Sequence, residues 1–130
     1  MKRFLFCITL GMVSLLQGCG GDPGKYPDPV DVSGKVVGAN GAPVTGVKIL
    51  FQPTSTIPTA FGQVGKAGEF KTKAVPAEYI FYFEPRSVST EEEREEAAAA
   101  FASIAAKYRE PQKENTVKLG STPVEIKLAP

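Results

Sequence analysis

Short stretches in which apolar and polar residues alternate follow one another from Val30 to Leu128, with turn residues between most of them. In the first, Val30, Val32 and Val36 are separated by polar residues. Successive side chains of a β-strand point to opposite faces, so this pattern predicts strands with one buried face. Strands are predicted at residues 30–36, 46–51, 59–64, 69–73, 78–83, 116–119 and 123–128.

The predicted strand at 78–83 is apolar on both faces, unlike the others. A strand of this kind is covered on both sides, so a second layer of the protein is expected to lie against it. One face carries Tyr79, Phe81 and Phe83, and the other carries Ile80 and Tyr82.

One helix is predicted at about residues 90–109. Thr90 and Glu93 have the spacing of a capping box, and Pro111 stops the helix. We expect its apolar face to cover the strand at 78–83, although the same face could instead dock another protein. That face contains Ala97, Phe101, Ile104, Ala105 and Tyr108.

The predicted elements together indicate a mainly β fold. Seven short strands with one late helix are typical of a two-sheet antiparallel β-sandwich. Within it, Asn40-Gly41 is a strong turn signal, and Gly34 is interpreted as a β-bulge in the first strand. The domain is expected to span residues 30–130.

The N-terminus has the pattern of an export signal. Met1-Lys2-Arg3 is positively charged, and residues 4–16 form an almost uncharged run of 13 residues. This run is shorter than the roughly 20 residues that span a bilayer, so it fits a signal peptide. It ends in Leu16, Gln17, Gly18 and Cys19.

Leu16-Gln17-Gly18-Cys19 resembles the lipobox of bacterial lipoproteins. The resemblance implies cleavage before Cys19 and acyl chains on that residue, which anchor the protein to a membrane because two or three chains bind stably. Residues 1–18 then form the signal peptide and 19–29 a Gly- and Pro-rich tether. In bacteria that retain lipoproteins by an Asp after the cysteine, Gly20 permits export to the outer membrane. The alternative is a secreted protein whose cleavage site happens to contain a cysteine.

Composition argues against several function classes. The 15 basic and 14 acidic residues become 13 and 14 without Lys2 and Arg3, which does not indicate a nucleic-acid partner. There is no histidine, and of the two cysteines Cys7 leaves with the signal peptide. We therefore expect no enzyme, metal or cofactor. Ser33 and Lys35 are interpreted as solvent-facing rather than catalytic, and the glutamates at 91–96 as a solvated helix start rather than a cation site.

Four segments resemble the carboxypeptidase regulatory-like domain: residues 32–36, 40–47, 65–70 and 75–79. The resemblance covers about residues 30–128 and implies a transthyretin-like sandwich with a non-catalytic role. Transthyretin-like hydrolases of the purine pathway depend on histidines, which this chain lacks.

The expected function is that of an exported, membrane-anchored lipoprotein whose domain serves in binding or envelope organisation. An accessory subunit of an envelope enzyme or transporter is the alternative from another class, and a purely structural surface protein is a third reading. Beyond the membrane, the expected partner is an envelope protein or a glycan. The oligomeric state does not follow from the sequence. The loop at 53–59 with Phe61 could contact a partner, but burial of Phe61 in the core is the preferred interpretation.

Overall fold

Two β-sheets and one α-helix form the part of the chain that the structure, a computed structural model, describes, residues 26–130. The three-stranded sheet has the strand order β4-β1-β7, and the four-stranded sheet has the order β3-β2-β5-β6. The mainly β class predicted from the sequence is therefore confirmed. The elements are β1 Val30–Val37, β2 Val47–Pro53, β3 Ala60–Gln63, β4 Glu69–Ala74, β5 Ala77–Pro85, α1 Glu91–Ala102, a 3₁₀ turn Ala106–Tyr108, β6 Thr116–Leu119 and β7 Val124–Lys127.

A single hydrophobic core receives one face of each sheet. The alternation in β2 explains this, because Val47, Ile49 and Phe51 are fully buried while the residues between them are half-buried or exposed. Aromatic rings connect the two sheets, since the centroid of Phe51 lies 5.5 Å from that of Phe70 on β4. The large residues of the core also include Val32, Val36, Tyr79, Phe81, Phe83, Ile104, Tyr108, Leu119, Ile126 and Leu128.

Gly34 is not a β-bulge, contrary to the prediction. The pairing of β1 with β4 runs without interruption from Val30 to Lys35, and Gly34 lies directly opposite Phe70. A Cβ atom at Gly34 would lie 2.5 Å from the Phe70 ring and 2.8 Å from a methyl group of Val124. The glycine is therefore needed because neighbouring side chains occupy the space above it.

The prediction of a wholly antiparallel architecture is wrong at one pair of strands. β7 runs parallel to β1, with Gly34 opposite Val124 and Val36 opposite Ile126. Residues 120–123 take the chain from the four-stranded sheet to the three-stranded one. There β7 pairs with the edge of β1 that β4 leaves free. The direction of β7 follows from this crossing between sheets, which local sequence patterns do not encode.

The helix begins as predicted but ends earlier. Thr90 accepts a hydrogen bond from the backbone N–H of Glu93, and the Glu93 carboxylate accepts one from the N–H of Thr90, so the capping box is confirmed. α1 ends at Ala102, however, and not near residue 109. The Arg109 guanidinium donates hydrogen bonds to the carbonyl oxygen of Ala102, which the end of the helix leaves free, and to that of Ile104 just beyond it.

The early end of the helix brings Ile104 and Tyr108 into the core. The Tyr108 ring stacks on Phe81 with centroids 6.0 Å apart, and its hydroxyl accepts a hydrogen bond from the Ala129 N–H at 2.7 Å. Ala105, predicted to share the apolar face, is exposed. The spacing of these residues matches a helical period of 3.6, yet residues after Ala102 do not continue the helix. Tertiary contacts outweigh the local preference for a helix here.

β5 is covered more fully on one face than on the other. Tyr79, Phe81 and Phe83 are buried on one face of β5. Tyr108, from the segment after α1, packs on this face, so the predicted contact of Tyr108 with the strand is confirmed. Ile80 and Tyr82 on the opposite face are only half-buried. The expectation that both faces are buried is therefore wrong for the outer one.

Replacing Gly34 with Ala tests the packing of Phe70. The added methyl group must displace a ring that is 2% exposed and held against Phe51, so we expect a loss of about 1–3 kcal/mol in the free energy of unfolding. Urea unfolding measures this value. Gly120→Ala is the matched control, because no atom lies within 4 Å of a Cβ there, and it should change stability by less than about 0.5 kcal/mol. Equal effects of the two substitutions would contradict this account of Gly34.

Candidate functional surfaces

The predicted lipidation site lies outside the described residues. Leu16, Gln17, Gly18 and Cys19 precede residue 26, so their roles remain predictions. The part of the predicted tether that is described, residues 26–29, is exposed and has no regular secondary structure.

Ser33 and Lys35 lie on the solvent side of β1. Both side chains are exposed, and their neighbours across the sheet are Lys71 and Glu69. This placement agrees with the solvent-facing interpretation. Between Tyr26 and Pro130 the core contains no buried polar or charged residue, and no group of three or more acidic or sulfur ligands is placed to hold a metal ion.

The glutamates at the start of α1 are all exposed. Glu93 accepts hydrogen bonds from the backbone N–H groups of Ser89 at 3.3 Å and Thr90 at 3.4 Å. These bonds stabilise the charged form and hold the pKa of the Glu93 carboxyl below its usual range. Glu96 forms an ion pair with Arg86 at 3.7 Å. Glu93 thus serves the helix start, and the exposure of the other glutamates agrees with their interpretation as solvated.

A groove of about 450 Å³ lies between the β1–β2 loop, the end of α1 and residues 128–130. Its polar groups are largely engaged within the protein. The Asn40 side-chain oxygen accepts from the Ala42 N–H at 3.0 Å, and the Ser103 hydroxyl donates to the Ala100 carbonyl at 2.6 Å. The Tyr108 hydroxyl accepts from the backbone beyond β7. The groove therefore presents few free groups that could orient a ligand.

The outer face of the four-stranded sheet carries an apolar row that crosses three strands. Leu50 on β2 lies directly opposite Phe61 on β3 and Tyr82 on β5. The Phe61 side chain is 61% exposed, so its predicted burial in the core is wrong. Clustered apolar residues at a protein surface are typical of interaction sites. We define the outer face by Lys48, Leu50, Phe61, Ile80, Tyr82 and Glu84.

A charged pair borders the apolar row. Lys48 and Glu84 lie opposite each other on β2 and β5, with the ammonium nitrogen 3.3 Å from a carboxylate oxygen. The same nitrogen lies 5.7 Å from the centroid of the Phe61 ring, within the range of a cation–π contact. Partial burial and the Glu84 charge both raise the pKa of the Tyr82 hydroxyl above its usual range.

Sequence reasoning missed this outer face although a signal was present. The alternation in β2 assigns Ile49 and Phe51 to the core and therefore assigns Leu50 to the opposite side. An apolar residue on the solvent side, beside Tyr82 of an all-apolar strand, indicates a second apolar surface. The position of Phe61 on that surface follows from the pairing of β3 with β2, which the sequence does not display.

Comparisons of the chain with known protein families, with curated proteins and with solved structures found no match. No helix in the described range 26–130 is long and apolar enough to cross a bilayer. The domain's surfaces therefore have to be interpreted from their own chemistry.

Replacing Glu93 with Gln should weaken the domain in a pH-dependent way. A carboxyl whose pKa is lowered by folding stabilises the folded state above the unfolded pKa and loses this contribution as the pH falls through the folded pKa. We expect the thermal midpoint of Glu93→Gln to lie below that of wild type at about pH 7 and the gap to narrow as the pH falls through the folded pKa of Glu93.

Glu95→Gln is the control, since it removes the same charge from the same helix beyond the capping box. A gap for Glu93→Gln that persists unchanged at low pH, or an equal gap for both variants, would contradict the role assigned to Glu93.

Proposed function

We propose that the protein is an exported lipoprotein, anchored to the membrane of the bacterial cell envelope by acyl chains on Cys19, whose β domain has a non-catalytic binding role. The observation that carries the proposal is the order of the sequence features at the N-terminus. A positive start, 13 almost uncharged residues and Leu16-Gln17-Gly18-Cys19 follow one another in the order that lipoprotein export requires. In this proposal Gly20 permits export to the outer membrane, because it takes the place of the Asp that retains such proteins at the inner membrane in some bacteria.

The proposed domain is a transthyretin-like sandwich of the carboxypeptidase regulatory-like type. Two features support this: a three-stranded and a four-stranded sheet contribute to one core, and turns occur where the resembling segments have them. Gly41 and Gly68 occupy two of those turns with φ of +82° and +79°, values that favour glycine.

The tether keeps the domain near the membrane in this proposal. Residues 20–29 extend to at most about 35 Å, and a Gly-rich chain of that length averages nearer 18 Å. A domain held at this distance meets other envelope components at high effective concentration, which favours binding through modest surfaces. The exposed apolar row around Phe61 is a surface of this kind.

Substitution of Cys19 tests the anchor. Cells making the full chain are labelled with a fatty acid that carries an alkyne, and the protein is then purified and its mass measured. Wild type should carry the label and have a mass that begins at Cys19, whereas Cys19→Ala should lose the label and retain residues 1–18.

Cys7→Ala is the matched control and should behave as wild type, because Cys7 lies within the proposed signal peptide. Absence of label from the wild-type chain, or labelling of Cys19→Ala at the wild-type level, would overturn the proposal.

A further inference from the structure

We propose that the outer face of the four-stranded sheet binds the same face of a second copy of this chain. This inference does not depend on the lipid anchor. It starts from the apolar row Phe61, Leu50 and Tyr82, which is continuous across three strands, with Ile80 beside it on β5. Burying such a row against another apolar surface is favourable because it removes apolar area from water.

The positions of the charges make the face complementary to itself. Lys48 and Glu84 are directly opposite on the adjacent strands β2 and β5. Two copies can be placed with their outer faces against each other, related by a two-fold axis that lies between the faces. If this axis runs parallel to the strands and midway between β2 and β5, β2 of each copy lies over β5 of the other. Lys48 of each copy then lies over Glu84 of the other, and two attractive contacts form at once.

The same axis matches the apolar residues. Leu50 and Tyr82 are also directly opposite on β2 and β5, so Leu50 of each copy lies over Tyr82 of the other. One symmetry operation therefore pairs unlike charges with each other and apolar side chains with each other. This agreement is the reason to choose a second copy as the occupant.

A lipid surface fits the face less well. Glu78 and Glu84 lie on the same side of β5 as Ile80 and Tyr82, and Lys118 and Lys48 are their partners on the neighbouring strands, so this face has no net positive charge to attract an anionic leaflet. A strongly basic or acidic protein is also disfavoured, because Lys48 and Lys118 balance the two glutamates on this side of the sheet. A partner that carries both signs of charge, such as a second copy, can place an opposite charge over each lysine and glutamate.

The size of the face predicts a weak association. Four strands span about 14 Å, and the nine residues of β5 extend about 30 Å, which gives a surface of roughly 400 Å². Stable interfaces bury about 800 Å² per partner. Covalent capture in cells is therefore the appropriate measurement.

The first experiment places a photo-crosslinking phenylalanine derivative at Gln63, an exposed residue on β3 beside Lys48. Cells making the full chain are irradiated, and products are identified by mass. We expect a crosslinked band of twice the chain mass. The same derivative at Ser33, exposed on the three-stranded sheet, is the control and should give at least about tenfold less dimer. Crosslinks from Gln63 only to lipid or to another protein, or no crosslink, would overturn the proposal.

The second experiment reverses the charges. Lys48→Glu alone and Glu84→Lys alone each place like charges together in the dimer, so each should reduce the crosslinked band by at least about tenfold. Chains carrying Lys48→Glu and chains carrying Glu84→Lys, made together with different tags, should form mixed dimers at the wild-type level. Mixing restores attraction between copies, whereas the ion pair within each chain stays broken.

The Lys48–Glu84 ion pair lies at the surface of the sheet, with side chains that are 21% and 43% exposed, so both variants are expected to fold, and their thermal midpoints verify it. Dimers that persist in the single variants would contradict the proposed geometry. Folded variants that give no mixed dimer would contradict it equally.

Discussion

The Phe70 ring lies between the two sheets, and the arrangement of both sheets depends on it. It extends from β4 over Gly34 of β1 and contacts Phe51 of β2 in the other sheet. Phe51 in turn forms a T-shaped contact with the Tyr79 ring, with centroids 6.3 Å apart. Since the described core contains no buried charge and aromatic side chains bury large apolar areas, the domain's stability depends on this aromatic packing.

Tyr108 has the corresponding role beside β5. Its ring stacks on Phe81, and its hydroxyl binds the backbone N–H of Ala129, so one side chain connects the four-stranded sheet to the chain beyond β7. Next to it, Arg109 donates hydrogen bonds to the carbonyl oxygens of Ala102, at the end of α1, and of Ile104. The helix is therefore short because the residues after it are needed in the core.

Local features of this fold were predictable from the sequence. The alternation in β2, the capping box of Thr90 and Glu93, and the strand at 116–119 all depend on residues close in the chain, and the structure confirms each. Features that depend on distant residues were not predictable. The need for glycine at 34 arises from Phe70 and Val124, and the parallel pairing of β7 arises from a crossing between sheets.

The exposure of Phe61 is another feature that depends on residues distant in the chain. Its alternation with Ala60 and Gly62 identifies a strand, but the choice of its outward side depends on how β3 pairs with β2. The lipobox is different, because its chemistry is contained in four consecutive residues and can be proposed without a fold. In the proposed protein these two features have separate roles: Cys19 determines where the domain is held, and the outer face determines what it contacts.

Hydroxyl-radical footprinting of the full chain in cells tests most directly whether a second copy covers this face. Oxidation of Phe61 and Tyr82 should be lower in wild type than in the Glu84→Lys chain, which retains the contact of Lys48 with the Phe61 ring. Tyr26, which is 41% exposed and precedes β1 of the three-stranded sheet, should be oxidised equally in both. Equal oxidation of Phe61 in the two chains would contradict the account.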